Sequence, residues 1–179
     1  MVESAQGYRF TVGMDRFARV RGEASRLHAV CEVAAKIRAG FETHSQAREV
    51  ERVPGVIYSF PPGTLDFNMQ IGSARLLARF VVTTEPEDRD IGRRVYSGRY
   101  VFELLPTDTR ETVGETIYAV SFEFNGAMRI GDFAGDGSND MNIENDRDSN
   151  WMFFALTEAN IFASLYPSFE RFPKEENYP

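Results

Sequence analysis

The stretch LDFNMQIGSARLLARFVVTT, residues 65–84, decides the fold. Leu65, Phe67, Met69 and Ile71 alternate with Asp66, Asn68 and Gln70, the period of a strand with one buried face. Gly72-Ser73 is a two-residue turn signal, and a second, more continuously apolar run from Leu76 to Thr84 follows it. Two strands joined by a tight turn pair antiparallel, so the chain is read outward from a hairpin.

Downstream the pattern repeats. The stretch EPEDRDIG (85–92) reads as a loop into a third strand over Arg94–Leu105, with Tyr96, Tyr100, Phe102 and Leu104. A fourth covers Thr116–Phe124, where Tyr118, Val120, Phe122 and Phe124 share a face, and it resumes past Gly126 through Ile130. Upstream, Val56, Tyr58 and Phe60 alternate briefly between Pro54-Gly55 and Pro61-Pro62-Gly63. These runs predict an antiparallel meander of at least four strands.

Two helices are expected around it. Leu27, Val30, Cys31, Ala34 and Ile37 recur at steps of three and four, predicting a helix over 23–38 that Gly40 stops. The β-branched content of Val30–Thr43 leaves a strand open there as the alternative. Asn150–Tyr166 is apolar on nearly all sides, capped by Ser149 or Asn150 and limited by Pro167, and predicts a buried helix. Tyr8, Phe10, Val12 and Met14 alternate with polar neighbours and predict a strand over 8–14. The fold class is therefore α+β, a single domain over 1–171 followed by a fraying tail, 172–179.

Charge and composition exclude several classes. Of 179 residues 27 are acidic and 20 basic, for a net charge of −7. That balance opposes a nucleic-acid or anionic-membrane partner. Residues 131–150 hold most of the excess, with six acidic side chains against Arg147 alone. No run approaches the roughly 20 apolar residues of a membrane span, and MVESAQGYRF lacks the pattern of a secretory signal. A lone cysteine, Cys31, rules out an internal disulfide. The expected location is the cytoplasm.

Within GDFAGDGSND (131–140), Asp132, Asp136 and Asp140 stand at positions one, five and nine, with Gly137 at the sharp turn. Calcium loops use oxygen donors at such odd positions, and the stretch resembles those of FG-GAP repeats and EF-hands. Ala134 at position three and Ile143 at position twelve depart from that pattern, so a solvated loop is the competing reading. His28 and Cys31 share a helix face, as a thiolate–imidazole pair would, but a buried thiol beside a surface histidine fits equally. His44 has no companion at metal-ligand spacing. The carboxylates Glu85, Glu87, Asp88 and Asp90 read as solvated, and Gly131, Gly135 and Gly137 lie among aspartates that repel phosphate. No cofactor is expected beyond the calcium candidate.

The strand aromatics Phe67, Phe80, Tyr100, Phe102, Phe122 and Phe124 are first of all core. Their abundance also offers an apolar groove for another polypeptide.

The segment Asn160-Ile-Phe-Ala163-Ser-Leu165-Tyr166-Pro167-Ser-Phe169-Glu-Arg171 resembles the signature of SecB-like chaperones: Asn, Ala, Leu-(Tyr/Phe)-Pro, an aromatic and an Arg-Glu pair. Phe122-Glu-Phe124-Asn-Gly126 is similar to the end of that family's fourth strand. Ser168 replaces an aromatic, and Glu170-Arg171 reverses the charge order. The resemblance implies a cytosolic, cofactor-free, oligomeric holdase that keeps non-native chains or a labile antitoxin soluble on grooves beside its sheet. The sequence-level expectation is a non-enzymatic, chaperone-like polypeptide binder that self-associates. An acidic inhibitor or immunity-type protein using 131–150, and a ligand-binding α+β barrel, are the competing classes.

Overall fold

The computed structural model describes residues 3–47, 52–88, 93–106, 114–130, 141–143 and 150–166. Its elements are α1 (Glu3–His44), β1 (Val56–Ser59), β2 (Phe67–Ile71), β3 (Ala74–Asp88), β4 (Arg93–Leu104), β5 (Thr116–Glu123), β6 (Ala127–Ile130), β7 (Met141–Asn142) and α2 (Asn150–Leu165). Each strand pairs antiparallel with the next, giving one curled sheet in sequence order, the α+β meander expected.

The hairpin that decided the fold sets the register. Ile71 pairs with Ala74 across the turn, and Phe67 with Ala78. Gly72 takes a φ of 57°, the left-handed region a tight turn needs and a side chain resists. Tyr166 closes over this turn and donates its hydroxyl to the Ile71 carbonyl at 3.2 Å. The register then carries one set of side chains to the same face: Phe67, Met69 and Ile71; Leu76 and Ala78; Tyr100, Phe102 and Leu104; Val120 and Phe122; Met128. All are buried. Both helices pack on this face, α1 against β4 and β5, and α2 against β5 and α1. The opposite face carries the Arg79–Glu103 ion pair and a Thr83–Ser97 hydroxyl pair at 2.7 Å.

Phe41 is the hub of the core. Its ring centroid lies 4.9 Å from that of Phe67, 6.1 Å from Phe102 and 4.7 Å from Phe154, joining α1 to two strands and to α2. Tyr100 anchors the same layer by donating to the carbonyls of Ala34 and Leu65, each at 3.0 Å. Burial raises its hydroxyl pKa well above the usual tyrosine value.

Several expectations are corrected. Residues 8–14 are helix, part of a 42-residue α1 that contains the expected helix over 23–38 and leaves no strand at Val30–Thr43. No proline interrupts Glu3–His44, and 8–14 finds no strand partner among the described residues, so its alternation is incidental. Gly40 lies inside α1 and does not end it. The Phe154 ring occupies the space its side chain would take, so glycine there permits close contact with α2. The expected loop 85–92 is strand as far as Asp88, and β7 falls within the acidic segment. In α2, Phe153, Phe154 and Ile161 are buried, while Met152 and Leu156 are exposed, so that helix is not enclosed on all sides. Among the described residues no helix is long and apolar enough to cross a membrane.

Candidate polypeptide-binding surface

Of the six aromatics marked as a groove, Phe67, Tyr100, Phe102 and Phe122 lie in the core beneath the helices, at most 1% exposed. Phe80 is half-buried, stacked on Phe122 at 6.1 Å. Only Phe124, on the β5–β6 turn, is open to solvent, at 52%. A polypeptide could not reach the first four without displacing α1 or α2.

A polar knot lies under the end of α1. Glu158, on α2 and fully buried, accepts from the Tyr58 hydroxyl at 2.7 Å and from the Val53 amide at 2.8 Å. His44 Nε2 is 3.4 Å from Glu158 Oε1, with both side chains shut off from water. Burial alone would raise the Glu158 pKa. The close His44 imidazole and the hydrogen bonds from Val53 and Tyr58 outweigh it and hold the carboxyl below its usual range. The same burial, followed by the charge of Glu158, pushes the Tyr58 hydroxyl well above its usual value. Arg52 lies beside the knot and donates to the carbonyls of Ser45 at 2.6 Å and Val56 at 2.7 Å. The knot therefore ties α1, the 52–58 segment and α2 together. Proton transfer to a substrate needs access, which Glu158 and His44 lack, so the arrangement reads as a fastening. Sequence reasoning missed it because 114 positions separate the histidine from its carboxylate.

Arg52 has a second effect. β1 is an edge strand, and its Val56 carbonyl and amide are both taken up, by Arg52 and by the Val53 carbonyl at 3.4 Å. Strand addition at this edge is therefore partly blocked. A cleft of about 190 Å³ opens on the outer face between Ile57, Gln70, Arg75 and Leu105. No group of titratable side chains converges on it.

Among the described residues, four of the eight exposed large apolar side chains lie on α1. Residues 16–22 are exposed on every side of the helix, so this part stands clear of the sheet. Along it Met14, Phe17, Val20 and Leu27 are 53%, 62%, 58% and 40% exposed. Arg16, Arg19 and Arg21 are interleaved with them and equally exposed. Further along the chain, from Val30, the helix turns its apolar side to the sheet. The Tyr96 hydroxyl reaches Glu23 at 3.4 Å near the point where the two regimes meet. The signal for this surface was present in the steps of three and four from Phe17 to Cys31. Reading 8–14 as a strand hid it.

The other candidates are dispersed. His28 is exposed and paired with Glu32 at 3.4 Å, and Cys31 is half-buried. The calcium candidates Asp132, Asp136 and Asp140 lie outside the described residues, as does Asp90. The side chains of Glu85, Glu87 and Asp88 are likewise not described. Among the described residues no three His, Cys, Asp or Glu side chains are grouped as metal ligands. No known protein family, curated protein or solved structure matches this chain.

Proposed function

We propose that this chain is a non-enzymatic, chaperone-like polypeptide-binding protein whose docking surface is the projecting half of α1. The observation that carries this reading is the exposure of Met14, Phe17, Val20 and Leu27 on a stretch of helix that nothing described covers. A solvent-surrounded helix gains no stability from leaving such side chains in water, and a rim of arginines keeps it soluble until a partner arrives. The SecB-like resemblance of residues 160–171 points to the same class of activity. The expected groove beside the sheet gives way here to the helix, because the sheet aromatics are covered and the β1 edge is partly closed.

The test is a light-scattering assay on a client that aggregates when reduced, such as the insulin B chain. The wild-type protein at equimolar ratio suppresses aggregation, and the double substitution Phe17→Asp/Val20→Asp removes that suppression. No suppression by wild type across several clients, or equal suppression by the variant, would sink the proposal.

A further inference from the structure

We infer that the partner seated on α1 is an acidic amphipathic helix of another protein, an inference that rests on the polypeptide-binding reading above. Three features of the surface select that occupant. The first is the backbone: every amide and carbonyl in the middle of a helix is already bonded within it, so α1 has none to offer an incoming strand. Affinity must come from side chains, and the rows of another helix mesh with them.

The second is spacing. Phe17, Val20, Ala24, Leu27 and Cys31 follow one another at three, four, three and four residues, the seam of a two-helix coiled coil. It runs for two heptads, roughly 20 Å at 1.5 Å per residue.

The third is charge. Arg16 precedes Phe17 and Arg21 follows Val20, so an arginine borders the seam on each side. Glu23 and His28 hold the equivalent places one heptad on. A second copy laid parallel would set its Arg21 against Arg16. Laid antiparallel about the middle of the seam, it would set arginine beside arginine at 21 and glutamate beside glutamate at 23. Either way like charges meet at the positions that choose partners in such pairs. A helix with carboxylates beside its apolar seam meets Arg16 and Arg21 favourably. The net charge of −7 over the whole chain opposes an acidic partner at long range, so the attraction is the local one of Arg16 and Arg21.

The experiment uses the full chain and three fluorescent probes. Two are synthetic 21-residue helices with leucine at the seam, one bordered by glutamate and one by lysine; the third is an unfolded, reduced and alkylated polypeptide. Anisotropy titration is expected to show the glutamate helix binding at least about tenfold tighter than the lysine helix, with the advantage shrinking as salt is added. Arg16→Glu/Arg21→Glu, which leaves the apolar seam intact, is expected to reverse the order. Equal or inverted preference in the wild type, or no reversal in the variant, overturns the inference. Binding of the unfolded probe alone overturns it while leaving the proposed function standing, and binding of no probe removes both. Sedimentation of the chain alone is expected to give a monomer; a dimer that Phe17→Asp dissociates would make a second copy the occupant and overturn it as well.

Discussion

The two halves of α1 share one helix and have opposite surroundings. From Val30 to His44, Val30, Val33, Ala34, Ile37, Phe41 and His44 are buried. From Met14 to Leu27, the large apolar side chains lie between 40% and 62% exposed. Helix propensity does not separate them, since each half carries one glycine and either two or three alanines. The difference is tertiary: the first set faces the sheet and α2, the second faces water. One half is held by the fold, and the other stands in solvent.

Substitutions sharpen this contrast. Phe41→Ala, at the hub of the buried half, is expected to cost about 3–5 kcal/mol through lost transfer energy and the cavity left behind. Urea titration would show the midpoint falling, and a loss under about 1 kcal/mol would mean that the core closes differently around α1. Glu158→Gln is expected to cost about 2 kcal/mol at neutral pH, the worth of hydrogen bonds to a charged acceptor. Because the folded carboxyl sits below its ordinary pKa, that contribution is complete above the unfolded value. It fades as pH falls through the folded one. Stability curves of wild type and variant should therefore converge in acid; parallel curves down to pH 3 would mean that the carboxylate is not the stabilising form.

Gly40→Ala sets two effects against each other. Alanine gains about 1 kcal/mol of helix propensity over glycine. The new methyl collides with Phe154, which the surrounding rings hold in place, and overpacking costs about 1–3 kcal/mol. A net loss of about 1 kcal/mol is expected by thermal denaturation, and a net gain would show that α1 and α2 can slide apart. The smallest effect belongs to the exposed half. Phe17→Ser should change unfolding free energy by no more than about 0.5 kcal/mol. A larger loss would mean that Phe17 is covered within its own chain, erasing the contrast between the halves.

The strands could be read from the sequence because each has one buried face, and a period of two records burial directly. Thus Phe67, Met69 and Ile71 announced β2, and Gly72-Ser73 fixed its partner. What alternation does not record is the identity of the covering layer. Phe67, Tyr100, Phe102 and Phe122 share a face by register, but whether helices or a client cover it depends on where α1 and α2 settle. The extent of α1 was hidden for another reason: Tyr8, Phe10, Val12 and Met14 mimic a strand over a short window, and only continuity with the helix behind them decides otherwise. The pairing of His44 with Glu158 left no local trace, being a contact between sequence-distant segments. The exposed stripe was readable in its spacing, although periodicity alone would assign it to the core.

The knot at Glu158 also orders the assembly of the protein in time. Its carboxylate bonds residues 105 and 100 positions earlier in the chain, whereas the β2–β3 hairpin pairs immediate neighbours. Local strand pairs close quickly, and distant contacts must first overcome the entropy of a long loop. During synthesis the meander can therefore form while Phe41 still lacks Phe153 and Phe154. The apolar end of α1 is sealed only after α2 has left the ribosome.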